Sequence, residues 1–353
     1  MPENHQMEHQ DSLLRIGILG WIGRGNVGDE LLRSAISSFI IAAKAVPVPI
    51  LGCLDHAMAR GLDALIIGGG SLLDGRPDIE PGLALKLPLA YVSVGLETDI
   101  HPEHASLLCD ARLVMHRSPE ARGEELHRRL QAKGSWFSAP DAVYTMQCCT
   151  ALHNESFFTR KELLVLPNME VIPTWTAPHW MHLAWDRFKD EFAQFLDDLY
   201  EDGWRPRFMS SCLNPRQDDN WAASEIISRM TRRSPGLIER ENLSAEATVA
   251  TSQVSRYRLV ISQRFHGAVL ARMAQVPCMA IYHHDKIREL NPSPEACVPY
   301  HGITKDGLHK AFNVALSSVP EEFPMSDVYH RHVAEFISTV DKKVGADEAM
   351  GRL

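Results

Sequence analysis

Among its seven cysteines the 353-residue chain has no CxxC pair, and it contains no HExxH. An odd cysteine count with Cys148 and Cys149 adjacent does not build a disulfide framework, so reduced thiols and a cytoplasmic location are expected. The seventeen histidines likewise lack metal-ligand spacing, and His283 and His284 are neighbours whose side chains diverge in an extended segment, so no metal is expected. Long apolar runs are also missing. The most apolar stretch, 36–51, is broken by Lys44, Pro47 and Pro49, which excludes the ~20-residue span a bilayer needs. The amino terminus, MPENHQMEHQDS, has no apolar core of the kind a secretory signal carries, and residues 1–13 are expected to form a disordered tail. Positive charge is in deficit: 36 Lys and Arg against 45 Asp and Glu leave a net charge of −9. That excludes nonspecific nucleic-acid binding, which needs a positive field, and any anionic ligand must be held by locally placed cations.

What remains is ordinary for a soluble enzyme of two domains, with 45% hydrophobic and 23% charged residues. Short apolar runs alternate with helical spacing. Arg15 to Gly20, Ala64 to Ile67, Ala90 to Val94 and Ala111 to Val114 read as buried strands, with a helix over Glu30 to Ala43 and a last short strand before Pro140 and Asp141. After irregular sequence around Cys148 to Lys161 the pattern resumes in Leu163 to Leu166, Arg207 to Met209, Leu237 and Ile238, Leu259 to Ile261 and Cys278 to Tyr282, with helices over Asp186 to Tyr200 and Trp221 to Met230. This predicts an α/β fold of two Rossmann-like domains, 14–150 and 160–326, facing across a cleft, with a terminal helix in 327–353 packing back across the junction.

Strand ends carry the chemistry. In ISQRFHG the residues Arg264, Phe265 and His266 are expected in the turn between a strand and a helix, at the carboxyl end of a parallel strand where ligands bind. The next strand delivers His283, His284, Asp285, Lys286 and Arg288 to the same rim, and the SSCLNPRQDD loop offers Arg216. Gly68, Gly69, Gly70 and Ser71 would let backbone amides approach a ligand, and His116 with Arg117 ends another strand. The loop Gly23-Arg24-Gly25-Asn26-Val27-Gly28-Asp29-Glu30 contains a literal GxGxxG. Dinucleotide binding is set aside there, because Asp29 and Glu30 place carboxylates on the positive helix end and no acidic residue follows at the ribose-binding spacing. A tight turn that admits a sugar or phosphate fits better, with Asn26 and Asp29 meeting hydroxyls. Trp175, Trp180 and Trp185 lie in TWTAPHWMHLAWDRF, read either as packing in a domain-joining loop or as peripheral contact with a sugar or an anionic membrane surface.

Together these segments resemble the polysaccharide pyruvyl transferase family. The family pattern begins with a loop of the form GxGNxGDE, here Gly23, Gly25, Asn26, Gly28, Asp29 and Glu30. An aspartate-containing strand then runs into a triple glycine, here Asp63 to Gly70, followed by Leu72 or Leu73 and Asp74. The best-matched block is Arg264-Phe265-His266 before a helix, then Gln275-Val276-Pro277 through Ile281, Tyr282, Lys286 and Arg288. The resemblance covers most of 14–145 and 245–291. His116-Arg117-Ser118 stands where the family often has an Arg-Asp pair, and Gln275 where it usually has glycine.

The resemblance implies a glycosyltransferase-B-like fold and transfer of pyruvate from phosphoenolpyruvate to a sugar as a cyclic ketal, in cell-surface polysaccharide biosynthesis. The acceptor would be carried on a lipid or a nucleotide, and no cofactor is implied beyond phosphoenolpyruvate as donor. On this reading Arg264, with Lys286, Arg288 and Arg216, holds the donor's anionic groups, and His266 protonates its methylene or accepts the hydroxyl proton. Asn26, Gly28, Asp29, Gly69, Gly70, Ser71 and Arg117 would bind substrate from the first domain. Two rivals use the same architecture: a glycosyltransferase with a nucleotide-sugar donor, and a glycan-binding module without turnover.

Overall fold

The computed structural model describes residues 13–59, 61–69, 73, 87–96, 100–146, 161–169, 172, 176–215, 217–232, 237–283, 287–288, 293–318 and 327–350. Its strands are β1 (Arg15–Leu19), β2 (Val46–Ile50), β3 (Ala64–Gly68), β4 (Leu89–Val94), β5 (Leu113–His116), β6 (Ser135–Ser138), β7 (Glu162–Leu166), β8 (Arg205–Phe208), β9 (Leu259–Ser262), β10 (Cys278–Tyr282) and β11 (Cys297–Pro299). The α-helices are α1 (Val27–Ala42), α2 (His56–Ala59), α3 (Pro102–Asp110), α4 (Glu120–Leu130), α5 (His179–Glu201), α6 (Asp219–Arg229), α7 (Ala247–Val254), α8 (Phe265–Met273), α9 (Lys305–Ser317) and α10 (Val328–Met350). No described helix is long and apolar enough to cross a membrane.

The strands form two sheets, ordered β2-β1-β3-β4-β5-β6 and β11-β10-β9-β7-β8, and every pairing within them is parallel. Strands such as ALIIG and LAYVSV are buried along their whole length, as a parallel sheet covered on both faces requires. The strand β2 escapes the sequence reading because VPVPI reads as a broken apolar run. It forms at the sheet edge and pairs with β1 alone, the position where proline's missing N–H is tolerated.

Contacts group the chain into two compact units: one from residues up to Gly20, Ile36–Ala139 and Asp327 onward, the other from Trp21–Ala35 and Pro140–Ser326. This differs from the boundaries expected at 14–150 and 160–326. The segment Trp21–Ala35 joins the second unit because its backbone is bonded there: Val27 N donates to Ser211 O and Leu213 N to Gly25 O, both at 2.9 Å, and Asn26 bridges Cys212. In the first unit, α10 packs its Tyr329 ring on Phe39, with centroids 5.4 Å apart, and stacks His332 on Phe137 at 3.8 Å.

The core of the second unit is aromatic. Trp185, Phe188 and Phe192 stack along α5, with successive centroids 5.4 Å apart, over Val165, Phe208 and Ile261 from the sheet. Each ring so buried contributes about 1.5–3 kcal/mol. This corrects the loop reading of the tryptophan segment: Trp180 and Trp185 lie on α5, Trp185 in the core and Trp180 exposed. Trp175 lies outside the described residues. The chain runs from β7 outward to β8 on one side and then crosses back to β9 on the other, so the topological switch falls between β7 and β9. Loops at the carboxyl ends of those strands border the crevice in which open α/β sheets bind ligands.

Candidate functional site

The chain leaves β9 through Gln263 and Arg264 and enters α8 at Phe265, with Arg264 as the helix N-cap at φ −101 and ψ 135. The helix therefore starts two residues earlier than expected, and Phe265 and His266 lie in its first turn. Ser262 closes it locally: its Oγ donates to Arg264 O at 2.7 Å and accepts from Arg264 N at 3.2 Å. Such a short turn holds Arg264 and His266 rigidly at the carboxyl end of the central strand.

The Arg264 side chain points into the unit. Its Nη2 donates to Asp219 Oδ1 at 2.5 Å, with Asp219 fully buried and Arg264 only 7% exposed. Asp219 opens α6 and collects three further donors: Met169 N on Oδ1 at 3.2 Å, and Ser211 N at 3.2 Å and Ser211 Oγ at 3.0 Å on Oδ2. One carboxylate thus ties together the loops that follow β7, β8 and β9. Burial pushes the Asp219 carboxyl up, and the Arg264 guanidinium with the hydrogen bonds from Met169 and Ser211 opposes it. Beside this pair Gln263 is 1% exposed, its Oε1 accepting from Asn168 N at 3.1 Å.

His266 occupies a different niche. Its Nε2 lies 3.6 Å from Asp141 Oδ2, the Asp141 side chain being fully buried. The other oxygen, Oδ1, accepts from Val143 N at 2.9 Å and caps the 3-10 turn Ala142–Thr145. On the opposite side, a Cβ built on Gly28 would come within 2.0 Å of His266 Nδ1. Gly28 is therefore glycine because the imidazole fills its side-chain space. Close by on the 3-10 turn, burial raises the Tyr144 hydroxyl far above its ordinary range while the Arg272 guanidinium works against it.

The GxGxxG loop is built as a helix start. Gly25 takes φ +79, a conformation other residues adopt only with strain. Asn26 Oδ1 accepts from Gly28 N at 3.0 Å, an N-cap for α1. Glu30 Oε1 accepts from Gly23 N at 2.5 Å, and Glu30 also pairs with Arg33 at 2.9 Å. Asn26 is thus committed through its oxygen to capping, and Asp29 is 8% exposed.

Of the residues singled out in the sequence, the structure gathers Asn26, Gly28, Asp29, Arg264 and His266 in the second unit, where Arg288 is also found, exposed beside the buried Ile287. Gly69 and Arg117 belong to the first unit. There His116 is buried with Nδ1 on Ser118 O at 3.0 Å, and burial lowers its pKa. Gly70, Ser71, Arg216 and Lys286 lie outside the described residues. Sequence reasoning passed over Asp219, Ser211 and Gln263, and marked Asp141 only as a strand-end residue that could reach the cleft or be an ordinary loop charge. Their only sequence signal is position: each ends a strand or opens a helical turn. Among the described residues no three His, Cys, Asp or Glu side chains group as metal ligands would.

Residues 147–285 match the family model of polysaccharide pyruvyl transferase, so the resemblance read from the sequence is borne out over that segment. No curated protein matches the chain at a significant level. Among solved structures, it is similar to the UDP-GlcNAc 2-epimerase of Methanocaldococcus jannaschii in complex with UDP-GlcNAc and UDP, at TM-score 0.59 and 13% identity, covering 94% of this chain and 100% of that one. The S. aureus MnaA–UDP co-structure is similar at TM-score 0.58 and 11% identity, covering 92% and 91%. A UDP-N-acetylglucosamine 2-epimerase, so described, from Listeria monocytogenes gives 0.54 and 11%, covering 94% and 97%. At such identities the likeness is one of fold: an α/β chain with two parallel sheets whose neighbours are glycosyltransferase-B-like.

Proposed function

Since residues 147–285 match the polysaccharide pyruvyl transferase family, we propose that the chain transfers pyruvate from phosphoenolpyruvate to a sugar as a cyclic ketal. The observation that carries this reading is the placement, within the matched segment, of Arg264 as N-cap and His266 in the first turn of α8, just beyond the carboxyl end of β9. The donor brings a carboxylate and a phosphate to a protein of net charge −9, so a fixed guanidinium at the strand end supplies what the overall field does not. Lys286, Arg288 and Arg216 would add charge from neighbouring loops, and Gly69, Gly70, Ser71 and Arg117 would serve the acceptor.

The reaction balances with donor and acceptor alone. A proton adds to the methylene carbon of phosphoenolpyruvate, one sugar hydroxyl bonds to the carbon bearing phosphate and loses its proton, and the C–O bond to phosphate breaks. A second hydroxyl then closes the ketal, and its proton leaves with the phosphate. The proposal therefore needs no resident cofactor. His266 is the group that moves the first pair of protons, a role typically contributing ~10²–10⁴-fold.

A nucleotide-sugar donor is the second reading, favoured by the UDP in two of the similar structures. Thermal unfolding with phosphoenolpyruvate, a panel of nucleotide sugars and NADH separates the two, because a ligand of the native state raises the melting temperature. Stabilisation by phosphoenolpyruvate that is weakened in Arg264→Lys supports pyruvyl transfer. Stabilisation by a nucleotide sugar alone, unchanged when phosphoenolpyruvate is added, refutes it in favour of glycosyl transfer. Mutual enhancement of the two ligands identifies the nucleotide sugar as acceptor.

A further inference from the structure

We propose that Asp141 is a positioning residue that keeps His266 protonated, so that His266 enters the reaction as the acid toward the methylene carbon. This rests on the proposed pyruvyl transfer for its chemical meaning, while the pairing itself stands on the geometry of the second unit. Three observations carry it. The Asp141 side chain is fully buried, with Oδ2 3.6 Å from His266 Nε2. Its other oxygen is anchored on Val143 N, so the carboxylate cannot swing away without uncapping the 3-10 turn. Gly28 leaves room for the imidazole where any side chain would collide with Nδ1, which confines the ring between the start of α1 and Asp141.

Charged and titratable groups on the elements packed there are Asp29, Glu30 and Arg33 on α1, Arg33 being paired with Glu30, Asp141 and Tyr144 on the 3-10 turn, and Arg264, its N-cap, and Arg272 on α8. Arg264 is engaged by Asp219, and the Arg272 charge acts on the Tyr144 hydroxyl, holding down the rise that burial causes. Asp141 is the carboxylate set against the ring, and a buried anion this close favours imidazolium over imidazole. A carboxylate that orients and charges a histidine, itself touching no substrate, is the arrangement by which acid–base histidines are commonly tuned.

In turnover the imidazolium N–H bond breaks as the C–H bond forms at the methylene, and the carbon bearing phosphate becomes electrophilic. The first sugar hydroxyl then bonds to that carbon and returns its proton to His266, restoring the imidazolium. The C–O bond to phosphate then breaks, the second hydroxyl bonds to the same carbon to close the ketal, and its proton leaves with the phosphate. His266 is unchanged over the cycle.

The test is an NMR titration of the histidine ring resonances in the intact protein, with His266 assigned by its disappearance in His266→Gln. In the wild type His266 is expected to titrate above the ordinary ~6.5, and in Asp141→Asn, which keeps the acceptor for Val143 N, about one pH unit or more lower. A wild-type value at or below 6.5 overturns the proposal without any variant, and so does an unchanged value in a folded Asp141→Asn. Phosphoenolpyruvate stabilisation, measured separately, is expected to survive Asp141→Asn, since the donor is held by Arg264. A wild-type His266 value that is not raised, or one that is unchanged in Asp141→Asn, together with retained phosphoenolpyruvate binding sinks this pairing and leaves the proposed function standing. A high wild-type value that falls in Asp141→Asn, with no phosphoenolpyruvate binding, does the reverse.

Discussion

At the scale of single residues, Arg264 is at once a candidate ligand group and a structural tie. Its guanidinium neutralises a fully buried carboxylate that also accepts from Ser211 and Met169. Breaking a buried pair by deleting one partner leaves an unpaired charge and costs about 3–5 kcal/mol. Arg264→Ala is therefore expected to lose that much stability in chemical denaturation, and a double variant Arg264→Leu with Asp219→Leu much less. If Arg264→Ala unfolds like the wild type, the pair is not holding the three loops together. Loss of activity in Arg264→Ala thus conflates folding with binding, which is why the lysine variant is the better functional probe. Gln275 is legible at this scale only with the structure in hand. It follows the C-cap of α8 at φ +53, where glycine is the unstrained choice, and that accounts for the glycine usual at this place in the family pattern.

At the scale of elements, the second unit depends on how α5 and α9 are joined. Asp198 on α5 accepts from Lys305 at 2.9 Å and meets His309 at 3.0 Å. Burial raises the Asp198 carboxyl, but the hydrogen bonds from Lys305 and His309 outweigh it and hold it below the ordinary carboxylate range. A depressed folded-state pKa contributes stability that is present above the unfolded value and lost as pH falls through the folded one. Asp198→Asn should therefore be slightly less stable than wild type near neutral pH, and the difference should begin to shrink as pH falls below the ordinary carboxylate pKa and vanish only below the lower folded-state one. The effect is small because the pair is partly exposed and screened. Denaturant unfolding of both proteins at pH 7 and pH 3 checks it; a difference that does not shrink, or that grows, at pH 3 contradicts the sign.

Element identity was largely readable. The alternation that predicted strands over Ala64 to Ile67, Ala90 to Val94 and Leu259 to Ile261 recurs as β3, β4 and β9, because strands buried on both faces must be continuous apolar runs. Less readable were β2, disguised by two prolines, and β11, only three residues long. The start of α8 was placed late because the hydroxyl of Ser262, not a glycine or proline, tightens the turn.

For the molecule as a whole, the point of consequence is that Trp21–Ala35 belongs with Pro140–Ser326. Phosphoenolpyruvate bound at Arg264 and His266 is then expected to slow amide exchange in 263–273 and also in 21–35, through Gly28 against His266 and Val27 bonded to Ser211. Hydrogen-exchange mass spectrometry with and without phosphoenolpyruvate reads this directly. Protection of 263–273 with none in 21–35 would contradict the coupling.

Composition, hydrophobic period and strand-end motifs were sufficient for the α/β class, the parallel sheets and the placement of Arg264 and His266 just beyond the carboxyl end of β9, since these follow from local spacing and from the need to bury apolar runs. Tertiary structure alone decided that Asp219 engages Arg264, that Asp141 faces His266 and that Gly28 is the space for an imidazole. Those contacts join segments far apart in the chain, and a buried charge selects its partner by distance in the folded core, where water no longer screens it, which no local pattern of residues encodes.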